Sequence, residues 1–388
     1  MTEKIPVQIV LEKGALLEGR GWGDFSNYRS GEFVFSTAMS GIEESLTDPS
    51  FAKQVLVNTV SHVGNTGINL EDHESSKMWA EGLICRHVES VPSSWRSRLS
   101  LPTWIQEQKK FLVDKVDTRK LTIFLRETGS QRGLVFPKGK LTIEAAQKYI
   151  LENVPSMASL ELSRHVSCEK AYNFTTDTQA YWPMKDITRG QESSTRPKVL
   201  VWDFGVKTNT LRWLHYLGLD VSVLPATAKA EDFLSTKASG ILLSNGPGDP
   251  GAATFLHEEL KKLLGRIPIF GICMGHQLLG IALGAKTRKM KFGHRGIHHP
   301  VVQFDKARNP LRTWITSQNH GFEVEEASLP SNVWVSFRHA DDQSVEGLEA
   351  PNQKCFSVQF HPESAPGPFD CFDLFKRFQE EVVNYVSR

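Results

Sequence analysis

The sequence predicts an α/β protein in two parts. A C-terminal, mostly parallel sheet flanked by helices carries a nucleophile elbow, and a separate mixed α+β N-terminal domain precedes it. Three observations carry that prediction. From residue 198 onward, strand-like runs alternate with helical patterns of about ten residues, the rhythm of a parallel sheet covered by helices. The stretch "PIFGICMGHQLLG", 268–280, sets a cysteine between two glycines where an apolar run turns into a helix. Residues 1–151 lack the alternation and show short β-branched and aromatic runs broken by turn residues. A chain of 388 residues also exceeds what one hydrophobic core usually spans.

In the N-terminal part, "VQIVLE", "EFVFSTA" and "QVLVNTV" read as strands. "DTRKLTIFLRETG" reads as a helix: Leu121, Phe124 and Leu125 fall at i, i+3 and i+4, with Asp117 at the start and Gly129 at the stop. "TIEAAQKYILENV" repeats the pattern. Periodicity is lost over 152–197, which reads as a linker ending in the polar "SSTRPK" at 193–198. Its aromatic residues Tyr172, Phe174, Tyr181 and Trp182 predict that parts of it pack.

The C-terminal domain, 198–388, opens with the strand "KVLVWDFG" and the helix "TNTLRWLHYLG". Strands "LDVSVLP" and "ASGILLS", helix "TFLHEELKKLLG" and strand "PIFGIC" follow. Beyond 290 come the strand-like runs "PVVQF", "TWITS", "VWVSF" and "CFSVQF", then a closing amphipathic helix, "FDCFDLFKRFQEEVV". Phe372, Phe375 and Phe378 recur there at helical spacing, as a core stripe and not a cofactor box.

Bulk properties exclude several classes. Lys+Arg 45 against Asp+Glu 44 leaves a net charge of +1, so no overall field favours nucleic acid or an anionic membrane. No apolar run approaches the roughly 20 residues that span a bilayer. The first residues show neither a signal nor a transit pattern. Five cysteines, an odd number with no C-x-x-C pair, argue against a disulfide framework or a zinc site and for a reducing cytoplasm.

A thiol in such a compartment is free to react. Gly271 and Gly275 flank Cys273 and would let a strained turn close, although a buried cysteine packing as a small hydrophobe fits the same residues. A cysteine nucleophile needs a base. His276 lies on the helix leaving the turn, where its side chain points along that helix. His361 is the better candidate: a strand-like run delivers it to a loop beside Glu363, with Pro362 fixing the backbone between them. It lies 88 residues downstream of Cys273, in the order nucleophile then histidine. "LLSNGPGDPG", 242–251, ends a strand in a glycine-rich loop able to form an anion-binding nest. The Gly246 and Met274 amides could then stabilise an oxyanion. A phosphate cradle is the rival reading of that loop, but the G-x-x-x-x-G-K-[ST] pattern is missing. "DFG" at 203–205 matches a kinase triplet with no other kinase part beside it.

"NGPGDP", "GICMGHQ" and "HPE", in this order and spacing, resemble the glutaminase domain of triad-type class I glutamine amidotransferases. "GEFVFSTAMSGIEESLTDPSFAKQVLVNTVSHVGNTGIN", "WRSRLSLPTW" and "DTRKLTIFLRETG" resemble the N-terminal domain of the small, glutamine-hydrolysing subunits of carbamoyl-phosphate synthetases. So do "VWDFGVKTN", "KMKFGH" and "SQNHGFEV" further on, and the likeness is weakest in 152–197. It implies Cys273 as nucleophile, His361 as acid/base and Glu363 as its orienter. It further implies a glutamine pocket made by Ser50, Gly246, Gly248, Met274, Gln277, Gln318, Asn319, Gly321 and Phe322. Read without the resemblance, Ser50 is an ordinary turn residue and Gln318–Asn319 a polar turn. After "KFGH" the family commonly continues Gly-Gly-Asn-His-Pro, whereas this chain has Arg295-Gly296-Ile297-His298-His299-Pro300.

The resemblance also implies what lies outside the chain. Ammonia released from glutamine would pass to a large ATP-using partner, in a heterodimer or higher assembly, for carbamoyl phosphate synthesis from bicarbonate in arginine and pyrimidine biosynthesis. No cofactor or metal is expected in this chain, ATP and a divalent metal belonging to the partner, and neither nucleic acid nor membrane is expected to bind. The rivals are an amidotransferase subunit of another synthase, such as those of the anthranilate or GMP pathways, and a non-catalytic regulatory scaffold of the same fold.

Overall fold

The structure is a computed structural model that describes residues 4–23, 25–69, 71–175 and 196–386. Tyr181, Trp182 and residues 193–195 of the expected boundary lie outside the described residues. The chain forms two compact units, Met1–Leu160 with Met290–Ile297, and Glu161–Lys289 with His298–Arg388.

The first unit runs β1 (Lys4–Leu11), β2 (Leu16–Trp22), β3 (Arg29–Ser36), α1 (Ile42–Thr47), β4 (Gln54–Asn58) and β5 (Gly82–Ile84). Then come α2 (Leu101–Glu107), β6 (Phe111–Asp114), α3 (Thr118–Thr128), β7 (Gln131–Pro137) and α4 (Ile143–Asn153). Among the described residues the strands close into a barrel in the order β1-β2-β6-β5-β4-β3-β7. Closure leaves no open sheet edge. The β-branched and aromatic runs mark several of these strands in the sequence, but not which pairs with which. Helix α3 matches its expected limits because both end signals act locally. The Asp117 carboxylate accepts from the Lys120 amide at 3.0 Å, and Gly129 leaves the helix at φ 94°. Leu121 and Leu125 join Val7, Phe33, Val55 and Phe111 in one core.

The second unit begins with α5 (Ser163–Val166) and β8 (Tyr172–Asn173), inside the stretch expected to be linker. The two residues of β8 pair with the strand Asp220–Pro225, so 161–175 packs as part of this unit. Residues 290–297, expected in the C-terminal domain, group instead with the first unit. The elements continue with β9 (Lys198–Asp203), α6 (Thr208–Tyr216), β10 (Asp220–Pro225), α7 (Ala230–Leu234), β11 (Gly240–Leu243) and α8 (Thr254–Lys261). β12 (Ile269–Ile272), α9 (Met274–Leu283), β13 (Thr287–Phe304), β14 (Pro310–Val324), β15 (Trp334–His339), β16 (Val345–Ala350), β17 (Cys355–Val358) and α10 (Asp373–Val386) complete it. The sheet order is β14-β13-β15-β16-β17-β12-β11-β9-β10-β8. Its centre, β10-β9-β11-β12-β17, is parallel, and β16 and β15 extend it antiparallel beyond β17.

Both faces of the centre are covered, which explains the unbroken apolar runs of these strands. Val199 and Val201 of β9 join the core of Trp213, Phe270, Phe375 and Phe378, while Leu200 and Trp202 join that of Leu256, Leu278 and Leu279. The closing helix starts at Asp373, later than expected, because residues 369–372 form a turn ahead of it. Phe372, Phe375 and Phe378 are all buried, as the stripe predicted. Among the described residues, no helix is long and apolar enough to cross a membrane.

Candidate active site

β12 lies between β11 and β17 and ends at Ile272, just before Cys273. Helix α9 begins at the next residue, so strand, turn and helix follow the elbow pattern. Cys273 has φ 52° and ψ −102°, a strained setting for a residue with a Cβ. Main-chain hydrogen bonds hold it there. The Cys273 amide donates to Val358 O at 2.9 Å, the Gly275 amide to Ser244 O at 3.0 Å, and the Gln277 amide to Cys273 O at 3.1 Å. Glycine is required at 275, where a Cβ would stand 2.3 Å from Leu243 O. The Cys273 thiol donates to Asn319 O at 3.7 Å.

The glycine-rich loop after β11 is shaped by equally close approach. A Cβ on Gly246 would lie 2.1 Å from Phe204 O, and Gly248 adopts φ 98°. The triplet Asp203–Gly205 serves this loop and not a kinase-like function. The Asp203 carboxylate accepts from the Gly205 and Val206 amides at 2.8 Å each, and the Phe204 amide donates to Ser244 Oγ at 2.8 Å. The Met274 amide opens α9, among the helix-start donors that have no carbonyl four residues back.

His361 follows β17, its amide bonded to Ser317 O at 2.9 Å. His361 Nδ1 meets Glu363 Oε1 at 2.6 Å, and both side chains are buried. A carboxylate only accepts, so Nδ1 carries the proton and Nε2 is left for other work. Burial opposes the charge on Glu363, but Lys207 and then His361 outweigh it and hold the carboxyl well below the usual range. Burial likewise opposes the imidazolium, but Glu363 and Cys273 outweigh it and raise the His361 pKa well above its ordinary value. Cys273 thus bears on His361 through charge and through side-chain hydrogen bonding, while among the described residues Nε2 meets no partner in close hydrogen-bond geometry.

His276 is buried and engaged with β17. Its Nδ1 meets Ser357 Oγ at 2.9 Å, and burial pushes its pKa down to about 3. Gln277 Nε2 donates to Phe322 O at 2.9 Å and Gln359 Oε1 at 3.0 Å. Gln318 and Asn319 do not form a turn. With Gly321 and Phe322 they lie in β14, and Gln318 Nε2 donates to Glu346 Oε2 at 2.9 Å. Ser50 belongs to the first unit, in the short turn Pro49–Phe51, where its amide donates to Asp48 Oδ1 at 2.8 Å. The Arg295–Pro300 departure sits within strand β13, and His299 Nδ1 meets His339 Nε2 at 3.0 Å.

Sequence reasoning missed Lys207 and Glu346. Lys207 is buried, its Nζ 3.0 Å from Glu363 Oε1 and also donating to Ser364 O. A lone lysine ahead of a helix carries no signal of such a role. Glu346 hides in β16, a fully buried strand, "VEGLEA", that the apolar patterning did not disclose.

Two family models match this chain. "Glutamine amidotransferase class-I" matches residues 200–380, and "Carbamoyl-phosphate synthase small chain, CPSase domain" matches 9–135. A carbamoyl phosphate synthase small chain from Haemophilus ducreyi is 44% identical over 97% of this chain and 98% of its own length. One from Xanthomonas campestris pv. campestris is 41% identical over 98% and 99%. Among solved structures, a glutamine amidotransferase from Thermotoga maritima covers 50% of this chain and 95% of its own, at 17% identity and a TM-score of 0.34.

Proposed function

This chain belongs to the carbamoyl phosphate synthase small chain family, and from that premise we propose that Cys273 hydrolyses glutamine for a larger partner. The observation that supports this most is the buried His361–Glu363 contact of 2.6 Å beside a cysteine on a strained elbow. His361 Nε2 takes the thiol proton as Cys273 Sγ attacks the side-chain carboxamide carbon of glutamine, and the carbonyl oxygen takes the negative charge. The Gly246 and Met274 amides are assigned to that oxyanion, one such donor contributing about 2.7–4 kcal/mol in comparable sites. The C–N bond breaks as His361 gives a proton to the departing nitrogen, leaving a glutamyl thioester and ammonia. His361 then takes a proton from water, whose oxygen attacks the thioester, and glutamate leaves as the thiol is restored.

Ammonia at neutral pH is mostly protonated and no longer nucleophilic, so handing it on directly is what makes the half-reaction useful. The ATP-dependent steps and their metal are assigned to the large partner, and the pair to the cytoplasm. The glutamine contacts of Ser50, Gly248, Gln277, Gln318, Asn319, Gly321 and Phe322 are carried over from the family resemblance.

The test is a glutamine-analogue electrophile together with Cys273→Ser. Labelling of Cys273 in the wild type, and loss of glutamate release on the order of 10⁴-fold in the variant, are expected. Absent labelling, or unchanged hydrolysis in Cys273→Ser, defeats the reading. Co-purification with the native partner should raise the glutaminase rate and give glutamine-dependent carbamoyl phosphate. Equal rates with and without it count against coupling.

A further inference from the structure

Helix α6 touches the catalytic turn at more points than its neighbour Lys207 supplies. Asn209 and Trp213 are four residues apart and stack on one face of the helix. Both donate to one acceptor: the Glu363 main-chain carbonyl takes Asn209 Nδ2 at 2.5 Å and Trp213 Nε1 at 3.2 Å. Both side chains are fully buried. The carboxylate of that residue does not locate itself. His361 Nδ1 and Lys207 Nζ both engage Oε1, at 2.6 and 3.0 Å, while Oε2 is buried with no hydrogen-bond partner among the described residues. With both cationic partners on Oε1, the position of the main chain that carries the carboxylate helps to decide where Oε1 lies.

We propose that Asn209 and Trp213 are positioning residues for the triad. By fixing the Glu363 carbonyl, they keep the carboxylate against His361 Nδ1 and so keep Nε2 directed for proton transfer at Cys273. Packing aims the indole: its ring lies 4.3 Å from Phe372 and 6.2 Å from Phe369, both on the segment that follows the turn. The inference rests on the triad reading above and adds to it two groups that touch no substrate.

The experiment measures glutamine hydrolysis against pH by the full chain with its partner, in Trp213→Phe, Asn209→Ala and Leu211→Ala. Each of the first two should lower kcat about three- to tenfold, the scale of one lost hydrogen bond, with KM for glutamine unchanged. Each should also move the alkaline limb of kcat to lower pH, because a displaced Glu363 no longer supports the imidazolium that protonates ammonia. Leu211→Ala, a buried apolar change on the same helix, should lower Tm and leave that limb in place. Wild-type kcat and limb in both Trp213→Phe and Asn209→Ala overturn the proposal, and so does an equal limb shift in Leu211→Ala. A wild type that releases no glutamate fails the triad reading itself. An active wild type beside unaffected variants sinks only the positioning role.

Discussion

The Cys273 elbow is assembled from main chain, whereas the His361–Glu363 turn is assembled from side chains. At the elbow, amide-to-carbonyl bonds and a glycine with no room for a Cβ set the geometry. At the turn, Lys207, Asn209 and Trp213 reach in from about 150 residues upstream to hold one carboxylate and its carbonyl. Main-chain geometry is demanding about backbone conformation and indifferent to most side chains. Side-chain support is the reverse, and it concentrates cost in a few buried charges.

Lys207→Met breaks the comparison on the side-chain half. It leaves the buried Glu363 carboxylate with His361 alone, and removing one partner of a buried ion pair costs about 3–5 kcal/mol. The urea midpoint should fall accordingly and glutaminase kcat with it, whereas unchanged values would mean the turn holds itself. Gly275→Ala attacks the main-chain half. Its Cβ would press on Leu243 O at 2.3 Å, and forced overpacking of this kind costs about 1–3 kcal/mol. Activity should drop more than stability does, because the shift falls within the elbow, two residues after Cys273.

His276 separates stability from chemistry on the elbow helix. Burial pushes its folded-state pKa down to about 3, so below the ordinary histidine value the unfolded chain binds a proton that the folded one refuses. Stability tied to this group is therefore present near neutral pH and lost as pH falls from about 6.5 toward about 3. In His276→Gln, the drop in urea midpoint between pH 7 and pH 5 should shrink, while the pH limbs of glutamine hydrolysis stay put. Asp117→Ala, in the first unit, gives the smallest effect. Loss of the α3 cap costs about 0.5–2 kcal/mol of stability, read as a lower Tm or urea midpoint, and leaves glutaminase kcat unmoved.

The same division explains what could be read in advance. Gly271, Cys273 and Gly275 announced the elbow because a backbone requirement leaves glycines at fixed spacing. Helix α3 was legible to its last residue because Asp117 and Gly129 act on neighbouring amides. His361 and Glu363 were found through their adjacency. Lys207 and Trp213 were not, since their meaning depends on a carbonyl that the fold delivers from far along the chain. Apart from the resemblance, Gln318–Asn319 read as a polar turn because a buried polar side chain such as Gln318, bonded to Glu346, looks in sequence like a solvent-facing one. Barrel closure in the first unit escaped for a related reason: β5 has three residues, too few for a pattern.

One feature of the core bears on how such a chain is made. Phe375 of α10 packs its ring 5.9 Å from that of Phe270, three residues before the nucleophile, and α10 follows all three triad residues in the chain. A ribosome that has released the chain only as far as Glu363 has therefore exposed the three residues of the proposed triad without the helix that packs on the strand leading to the thiol. Synthesis of the reactive residues and assembly of the reactive site are separated in time. On the proposed triad reading, a chain that lacks α10 keeps Cys273, His361 and Glu363 but loses the Phe375–Phe270 contact behind the elbow.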